Sequence, residues 1–220
     1  MTILTLSSVV YRYGNNCPVV LDHVSASFET GVVSAIAGKS GSGKSTLLSL
    51  MAGLDVPSSG SVLFEDADTR TLDLFAYRRR QVAVVYQDFS LFPLLTVLEN
   101  IQYPMSLCHM NKMAARAEAL ALAETVQLPS ALLHRYPGEI SGGEQQRTAI
   151  ARALTMNRKL ILADEPTGNL DSENSENIMD LLVRLAHEQS CCVIIVTHDP
   201  TVAQKADVRL HMQDGKLRSN

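Results

Sequence analysis

Short runs of β-branched and aromatic residues open the chain and alternate with polar residues. They occupy residues 3–11, 24–28, 32–37 and 61–64. Runs of this length and residue type, separated by turn-forming residues, are typical of β-strands. The first part of the chain is therefore predicted to be rich in β-structure.

A longer helical period replaces this pattern from residue 94 and continues to about residue 133. It is clearest at residues 112–125, which are rich in Ala, Leu and Glu. The chain carries no repeat and no linker-like stretch that would separate two domains. We therefore predict a single domain of residues 1–220, in which a helical subdomain at about 91–134 is inserted between residues 1–90 and 135–220.

Two later runs, residues 159–163 and 191–197, are almost wholly apolar, and an amphipathic helix is predicted between them at 174–188. Strands that are apolar on both faces are typical of a parallel sheet covered by helices on both sides. The pattern predicts an α/β fold with a mainly parallel sheet. Its ligand site is expected beyond the carboxyl ends of the strands.

Charge and composition exclude several function classes. Nineteen basic and 23 acidic side chains give a net charge of −4, which provides no general attraction for a nucleic-acid backbone. No run approaches the roughly 18 apolar residues of a membrane span, and the first residues do not resemble a secretory signal, so a cytoplasmic location is expected. Neither the four cysteines nor the six histidines have the spacing of a metal site.

A glycine-rich segment, GKSGSGKST, follows the predicted strand at 32–37 and precedes a predicted helix at 47–52. It matches the phosphate-binding pattern G-x-x-x-x-G-K-[ST], in which backbone N–H groups surround phosphate oxygens. Lys44 is expected to reach the β- and γ-phosphates, Ser45 to offer its hydroxyl to Mg²⁺, and Lys39 to be solvated. The segment consists of Gly38, Lys39, Ser40, Gly41, Ser42, Gly43, Lys44, Ser45 and Thr46.

Two carboxylates, Asp164 and Glu165, follow the apolar strand at 159–163, and Pro166 ends that strand. Such a pair is commonly a solvated turn, but a phosphate-binding loop in the same chain favours a catalytic role. We expect Asp164 to bind hydrated Mg²⁺ and Glu165 to orient and deprotonate the attacking water.

A second candidate anion site begins at Ser141, where Glu144 has the spacing of a capping box and a helix is predicted at 148–154. A simple helix cap is the alternative interpretation. Gly142 and Gly143 would each cost about 1 kcal/mol in a helix, however, unless a ligand approaches the backbone closely. One phosphate-binding loop already encloses one nucleotide, so a site shared by two molecules explains the second one.

Together these segments resemble the ATP-binding cassette (ABC) ATPases over nearly the whole chain. The resemblance implies a P-loop NTPase core with a mainly parallel sheet, an N-terminal antiparallel β subdomain and an inserted α-helical subdomain. It also implies that Ser141, Gly142 and Gly143 close on the γ-phosphate bound by the other protomer, so that two ATP molecules join a homodimer. Ile140 and Glu144 stand where the family commonly has Leu and Gln.

The resemblance assigns the remaining motifs. Gln87 looks like the glutamine that contacts Mg²⁺ and the attacking water, and His198 like the histidine that contacts the γ-phosphate. Asp171 looks like the loop residue that crosses the dimer, although it could equally cap a helix. Tyr11 matches the aromatic residue that stacks on adenine, with Tyr13 as its rival, and either could merely pack.

The region after Gln87 resembles the part of the family that receives a coupling helix from a membrane permease. It includes residues 91–101 and the side chains Met105, Cys108, Met110 and Met113. An ordinary position in the helical core is the alternative, and for the methionines we favour it. ADEPTGNLD and YQDFSLFPLLTVLENI look most like ATPases of the lipoprotein-releasing, macrolide-exporter and bacitracin-resistance type.

This likeness implies an ATPase at the inner face of the cell membrane that powers export of lipoproteins, peptides or drugs, or extracytoplasmic mechanical work, through a permease. The competing interpretation is a soluble ABC ATPase that drives assembly. A function on DNA is disfavoured, because the only basic run, residues 78–80, is too short to form a positively charged DNA-binding surface.

Overall fold

The computed structural model describes residues 1–14, 16–155 and 158–219. Its strands are β1 (Thr2–Tyr11), β2 (Leu21–Glu29), β3 (Val33–Ala37), β4 (Ser59–Phe64), β5 (Ala67–Asp68), β6 (Val82–Val85), β7 (Leu160–Asp164), β8 (Cys192–Thr197), β9 (Val208–Gln213) and β10 (Lys216–Ser219). Its helices are α1 (Lys44–Met51), α2 (Leu74–Arg80), α3 (Val97–Leu107), α4 (Lys112–Thr125), α5 (Gly142–Leu154), α6 (Ser172–Gln189) and α7 (Pro200–Gln204).

The strands form two sheets. The larger one has the order β10-β9-β3-β8-β7-β6, and all its neighbours are parallel except β10 and β9. The smaller sheet has the order β2-β1-β4-β5 and is antiparallel. The predicted α/β fold class, with a mainly parallel sheet and an N-terminal antiparallel sheet, is confirmed.

The larger sheet separates two hydrophobic layers, which explains why its central strands are apolar throughout. Strand β8 is buried at every position. Val193 and Ile195 join a core built with helices α3 to α7, whereas Ile194 and Val196 join a core with α1 and the antiparallel sheet. Because both faces are covered, polar side chains are confined to the ends of these strands.

Polar caps fix where the main helices begin. Asn111 accepts the N–H groups of Met113 and Ala114, and α4 spans the predicted residues. Helix α5 starts at Gly142, earlier than the predicted 148, since Ser141 and Glu144 form a capping box that offsets the poor helix propensity of glycine. The same box, made by Thr96 and Glu99, starts α3.

No helix in the described part of the chain is long and apolar enough to cross a membrane. Within those same residues, no group of three or more His, Cys, Asp or Glu side chains could hold a metal ion by itself.

Candidate functional site

Four neighbouring parallel strands, β3, β8, β7 and β6, end at one edge of the larger sheet. The glycine-rich loop follows β3, His198 follows β8, Asp164 ends β7 and Gln87 follows β6. These residues line one open cavity of about 1080 Å³. The topology thus brings together side chains that are up to 160 residues apart in sequence, at the edge where α/β proteins bind ligands.

The loop of residues 38–46 (the phosphate loop) needs its glycines. Gly41 and Gly43 have φ angles of 78° and 103°, in the left-handed region that favours glycine. A Cβ on Gly38 would lie 2.3 Å from the carbonyl oxygen of Met212. The loop leads into α1, whose first N–H groups have no partners within the helix, so its positive end faces the cavity region.

Lys44 is buried beneath the phosphate loop. Its ammonium group donates to the carbonyl oxygens of Gly38, at 2.7 Å, and Lys39, at 3.0 Å. The side chain of Lys39 is exposed to solvent. The loop therefore fixes one cation at its centre, a suitable arrangement for a phosphate chain.

Asp164 and Ser45 are candidate oxygen ligands for a metal ion in the same cavity. Ser45 Oγ lies 3.5 Å from Asp164 Oδ1, and Gln87 lines the same cavity. Burial raises the pKa of Asp164, the Ser45 hydrogen bond partly opposes this rise, and the neighbouring Glu165 adds to it. Hard oxygen donors in this number fit Mg²⁺, which retains waters and shares its coordination with phosphates.

Glu165 is held by the last residue of β8 and by the residue that follows it. Thr197 Oγ1 donates to Glu165 Oε2 at 3.0 Å, and His198 Nδ1 lies 2.8 Å from Glu165 Oε1. Glu165 has a φ of 47°, a left-handed conformation that is costly for a residue with a Cβ and is concentrated at functional sites. Sequence reasoning missed Thr197, whose only signal is a polar residue at the end of an apolar strand.

Gln87 is tied to the loop before α6. The Asn169 side chain donates to the Gln87 carbonyl oxygen at 2.9 Å, and the Gln87 amide lies 3.4 Å from Asn169 Oδ1. Gly168 allows this approach, because a Cβ there would lie 2.8 Å from Gln87 Nε2. A movement of Gln87 would therefore disturb its hydrogen bonds with Asn169. Sequence reasoning did not identify Asn169 as a site residue.

The second candidate anion site lies outside this cavity. Ser141, Gly142 and Gly143 do not line it. Ideal Cβ atoms on the two glycines would instead meet Leu170 at 3.3 Å and Asn174 at 2.5 Å. One chain therefore does not bring its Ser141 segment into its own phosphate-loop cavity.

Asp171 also lies outside the lining of the cavity and caps α6. Its carboxylate accepts the N–H and the side-chain amide of Asn174, both at 2.8 Å. These hydrogen bonds lower the pKa of Asp171. The geometry supports the helix-cap interpretation and leaves the contact across a dimer untested.

Burial argues against Tyr11, and for its rival Tyr13, as the residue that stacks on adenine. Tyr11 is only 4% exposed and packs in the core of the antiparallel sheet. Its hydroxyl donates to Asp55, which raises the pKa of Tyr11 to about 12. Tyr13 is 69% exposed, and its hydroxyl lies 2.8 Å from Thr46 Oγ1 at the phosphate loop. Tyr13 thus has a ring free to stack.

A separate groove of about 480 Å³ (the arginine groove) lies between α2, β6, α3 and α5. The side chains important for its chemistry are Phe75, Arg79, Tyr86, Phe92, Arg152 and Arg158. None of its described lining residues is an Asp or Glu. Burial lowers the pKa of both Arg152 and Arg158, and the Nε atoms of Arg79 and Arg158 have no hydrogen-bond partner in the described chain.

Four side chains were predicted to lie near a permease contact: Met105, Cys108, Met110 and Met113. None of them lines the arginine groove. Met105 is fully buried in the helical core, which confirms the alternative interpretation for that residue. Met113 is 83% exposed and lies on α4. Cys108 and Met110 also lie outside the lining of the groove. Among residues 91–101, Phe92 alone lines it.

Comparisons with known proteins agree with this geometry. The sequence model described as "ABC transporter" matches residues 21–168. The chain is 43% identical over 212 residues to the lipoprotein-releasing system ATP-binding protein LolD of Bordetella pertussis, covering 95% of this chain and 91% of that protein. It is 41% identical over 220 residues to an uncharacterized ABC transporter ATP-binding protein of Mycobacterium tuberculosis, covering 98% and 88%.

Solved structures show the same fold. The dimeric structure of MJ0796, a bacterial ABC transporter cassette, aligns with a TM-score of 0.87 and 37% identity over 99% of this chain and 98% of that one. A post-hydrolysis state of the same cassette, bound to ADP and Pi, matches equally well.

Proposed function

Because the chain belongs to the ABC transporter family and is an ABC ATPase, we propose that it powers export, or extracytoplasmic mechanical work, through ATP-driven dimerisation. One observation carries this proposal: the phosphate loop, Asp164, Glu165 and His198 share one cavity, whereas Ser141 lies outside it. A site divided in this way is completed by a second copy of the chain.

ATP binding would use the phosphate loop and Tyr13. The loop N–H groups and Lys44 would hold the phosphates, and the exposed Tyr13 ring would stack on adenine. Ser45, Asp164 and Gln87 would hold Mg²⁺, with phosphates and waters completing its shell. When bound, Mg²⁺ would neutralise the charge that develops on the phosphates.

Hydrolysis would depend on Glu165 and His198. A carboxylate can only accept hydrogen bonds, so the His198 proton in this contact is on Nδ1, with Glu165 as acceptor. Thr197 holds the other carboxylate oxygen, which fixes the direction in which Glu165 meets a water. Glu165 would take the proton of that water, and Gln87 and His198 would position the water against the γ-phosphate.

Dimer closure would supply the missing part of each site. Ser141, Gly142 and Gly143 of one chain would meet the γ-phosphate on the phosphate loop of the other, using the positive end of α5. Asp171 would cross the interface in the same closed state. Hydrolysis and phosphate loss would remove these contacts and reopen the dimer.

The arginine groove is our candidate for the permease contact. It combines exposed aromatic side chains with guanidinium groups, the residue types enriched in interface centres. Arg152 and Arg158 are half-buried, and the guanidinium group of Arg152 donates to the carbonyl oxygens of Phe89 and Ser90. No Asp or Glu is among the described residues that line the groove. An acidic, amphipathic permease segment would complement this positive charge, and would hold the protein at the cytoplasmic face of the membrane.

The proposed cargo class rests on the name of a relative. LolD is named as part of a lipoprotein-releasing system, and we propose the related range of lipoproteins, peptides or drugs for this chain.

We also propose that residues 91–134 form a helical subdomain inserted into the ATP-binding core of residues 1–90 and 135–220.

Hydrolysis assays test the enzymatic part. Lys44→Ala should abolish productive ATP binding, because it removes the cation beneath the loop. Glu165→Gln should retain ATP but release phosphate at least about 100-fold more slowly, since it removes the base. Glu124→Gln, an exposed position on α4, is the control and should hydrolyse at the wild-type rate. Unchanged phosphate release by Glu165→Gln would contradict the assignment.

A further inference from the structure

The residue that distinguishes the start of α5 from the common family pattern is Glu144. Its Oε2 accepts the backbone N–H of Ser141 at 2.7 Å and the Ser141 hydroxyl at 2.8 Å. The hydroxyl proton of Ser141 is therefore already donated within the chain. Ser141 Oγ can accept a hydrogen bond in this state, but it has no proton left for an incoming anion.

The Glu144 carboxylate also lies close to the proposed phosphate position. A phosphate oxygen that accepted the Ser141 hydroxyl proton in place of Glu144, at a normal length of about 2.7 Å, would be no more than about 5.5 Å from Glu144 Oε2. The carboxylate of Glu144 already lies at the positive N-terminal end of α5. Any γ-phosphate that arrives there must share the helix end with a second anion.

We propose that Glu144 is a positioning residue that acts through Ser141 and opposes ATP-driven dimer closure. It holds the Ser141 hydroxyl away from the γ-phosphate and repels that phosphate, so that the closed dimer reopens more readily. This role rests on the proposed function, in which Ser141 meets the nucleotide of a second chain. A glutamine at 144 would preserve the cap, since its amide oxygen can accept the same two hydrogen bonds without a charge.

The size of the effect follows from the distance. Two like charges about 5.5 Å apart change an equilibrium constant about threefold even at the dielectric constant of water, and more as water is excluded. A closed dimer has two such sites. We therefore expect Glu144→Gln to tighten ATP-dependent dimerisation about tenfold.

The experiment measures dimer dissociation constants with ATP by sedimentation, in a Glu165→Gln background that does not turn over. Glu144→Gln should dimerise about tenfold more tightly than this parent, although its unfolding temperature should fall slightly because the charge at the helix end is lost. The matched control is Glu99→Gln, which neutralises the same capping box at α3, where Thr96 donates to Glu99 through its N–H and its hydroxyl. It should dimerise like the parent.

The sign of the change separates this role from a structural one, because loss of a helix cap can only weaken a dimer that depends on that helix. Glu144→Ala, which loses the cap, should unfold at a lower temperature and still dimerise at least as tightly as the parent. The proposal is overturned if Glu144→Gln dimerises no more tightly than the parent. If the parent itself stays monomeric with ATP bound, the proposed function fails instead.

Discussion

At the scale of single residues, the proposed adenine contact depends on the exposed ring of Tyr13. Tyr13→Ala should weaken ATP binding by about 1–3 kcal/mol, or about 5- to 150-fold in Kd, because it removes the stacking surface. Tyr13→Phe should retain most of the affinity, since it keeps the ring and loses only the Thr46 contact. Titration with a fluorescent ATP analogue measures both.

The matched control for this prediction is Tyr11→Phe. It removes the hydrogen bond to Asp55 from a buried ring and should lower the unfolding temperature without changing the ATP Kd by more than about twofold. A large loss of ATP affinity in Tyr11→Phe, with none in Tyr13→Ala, would restore the sequence-based assignment.

Sequence alone could not choose between these two tyrosines. In a regular strand, residues two apart share one face, so Tyr11 and Tyr13 would be equivalent. The pairing of β1 with β2 is irregular between Val9 and Tyr11, and β1 ends at Tyr11. These backbone irregularities turn one ring inward and leave the other exposed. By contrast, the chemistry of the phosphate loop could be predicted, because its glycines and Lys44 are adjacent in sequence.

At the scale of elements, only some of the arginines at the end of α2 line the arginine groove. Arg79 lines the groove, whereas Arg80, the next residue, is exposed and does not. Arg79→Glu should therefore reduce retention of the detergent-extracted membrane subunit on the immobilised protein at least about tenfold, by placing like charges together. ATP binding should be unchanged.

Arg80→Glu is the matched control, because it makes the same charge reversal one position away. Equal retention of the membrane subunit by both variants would show that the groove is not the docking surface. Thermal unfolding of both variants excludes loss of folding as the cause.

The bounds of a helix could be predicted where the helical period of apolar residues is unbroken. Helix α4 matches its predicted range because residues 112–125 keep one period and Asn111 caps them. Helix α3 contains Pro104, which interrupts the helical pattern, and only tertiary packing maintains it there. The start of α5 was missed, since the propensity of Gly142 and Gly143 argued against a helix that the capping box favours.

At the scale of the whole molecule, the two candidate anion-binding segments lie apart within one chain. The phosphate loop, Glu165 and His198 line one cavity, and Ser141 is not among the residues that line it. Sequence spacing could predict both motifs and the fold that carries them. It could not by itself show that they are apart within one chain, because that separation depends on how α5 packs against the loop before α6.

The most direct test of the shared site is the mass of Glu165→Gln in solution, measured by size-exclusion chromatography with light scattering. With ATP, the mass should rise from 24.0 kDa to twice that value, and ADP should leave it unchanged. A protein that binds ATP and remains at the monomer mass would contradict ATP-driven dimerisation of this chain.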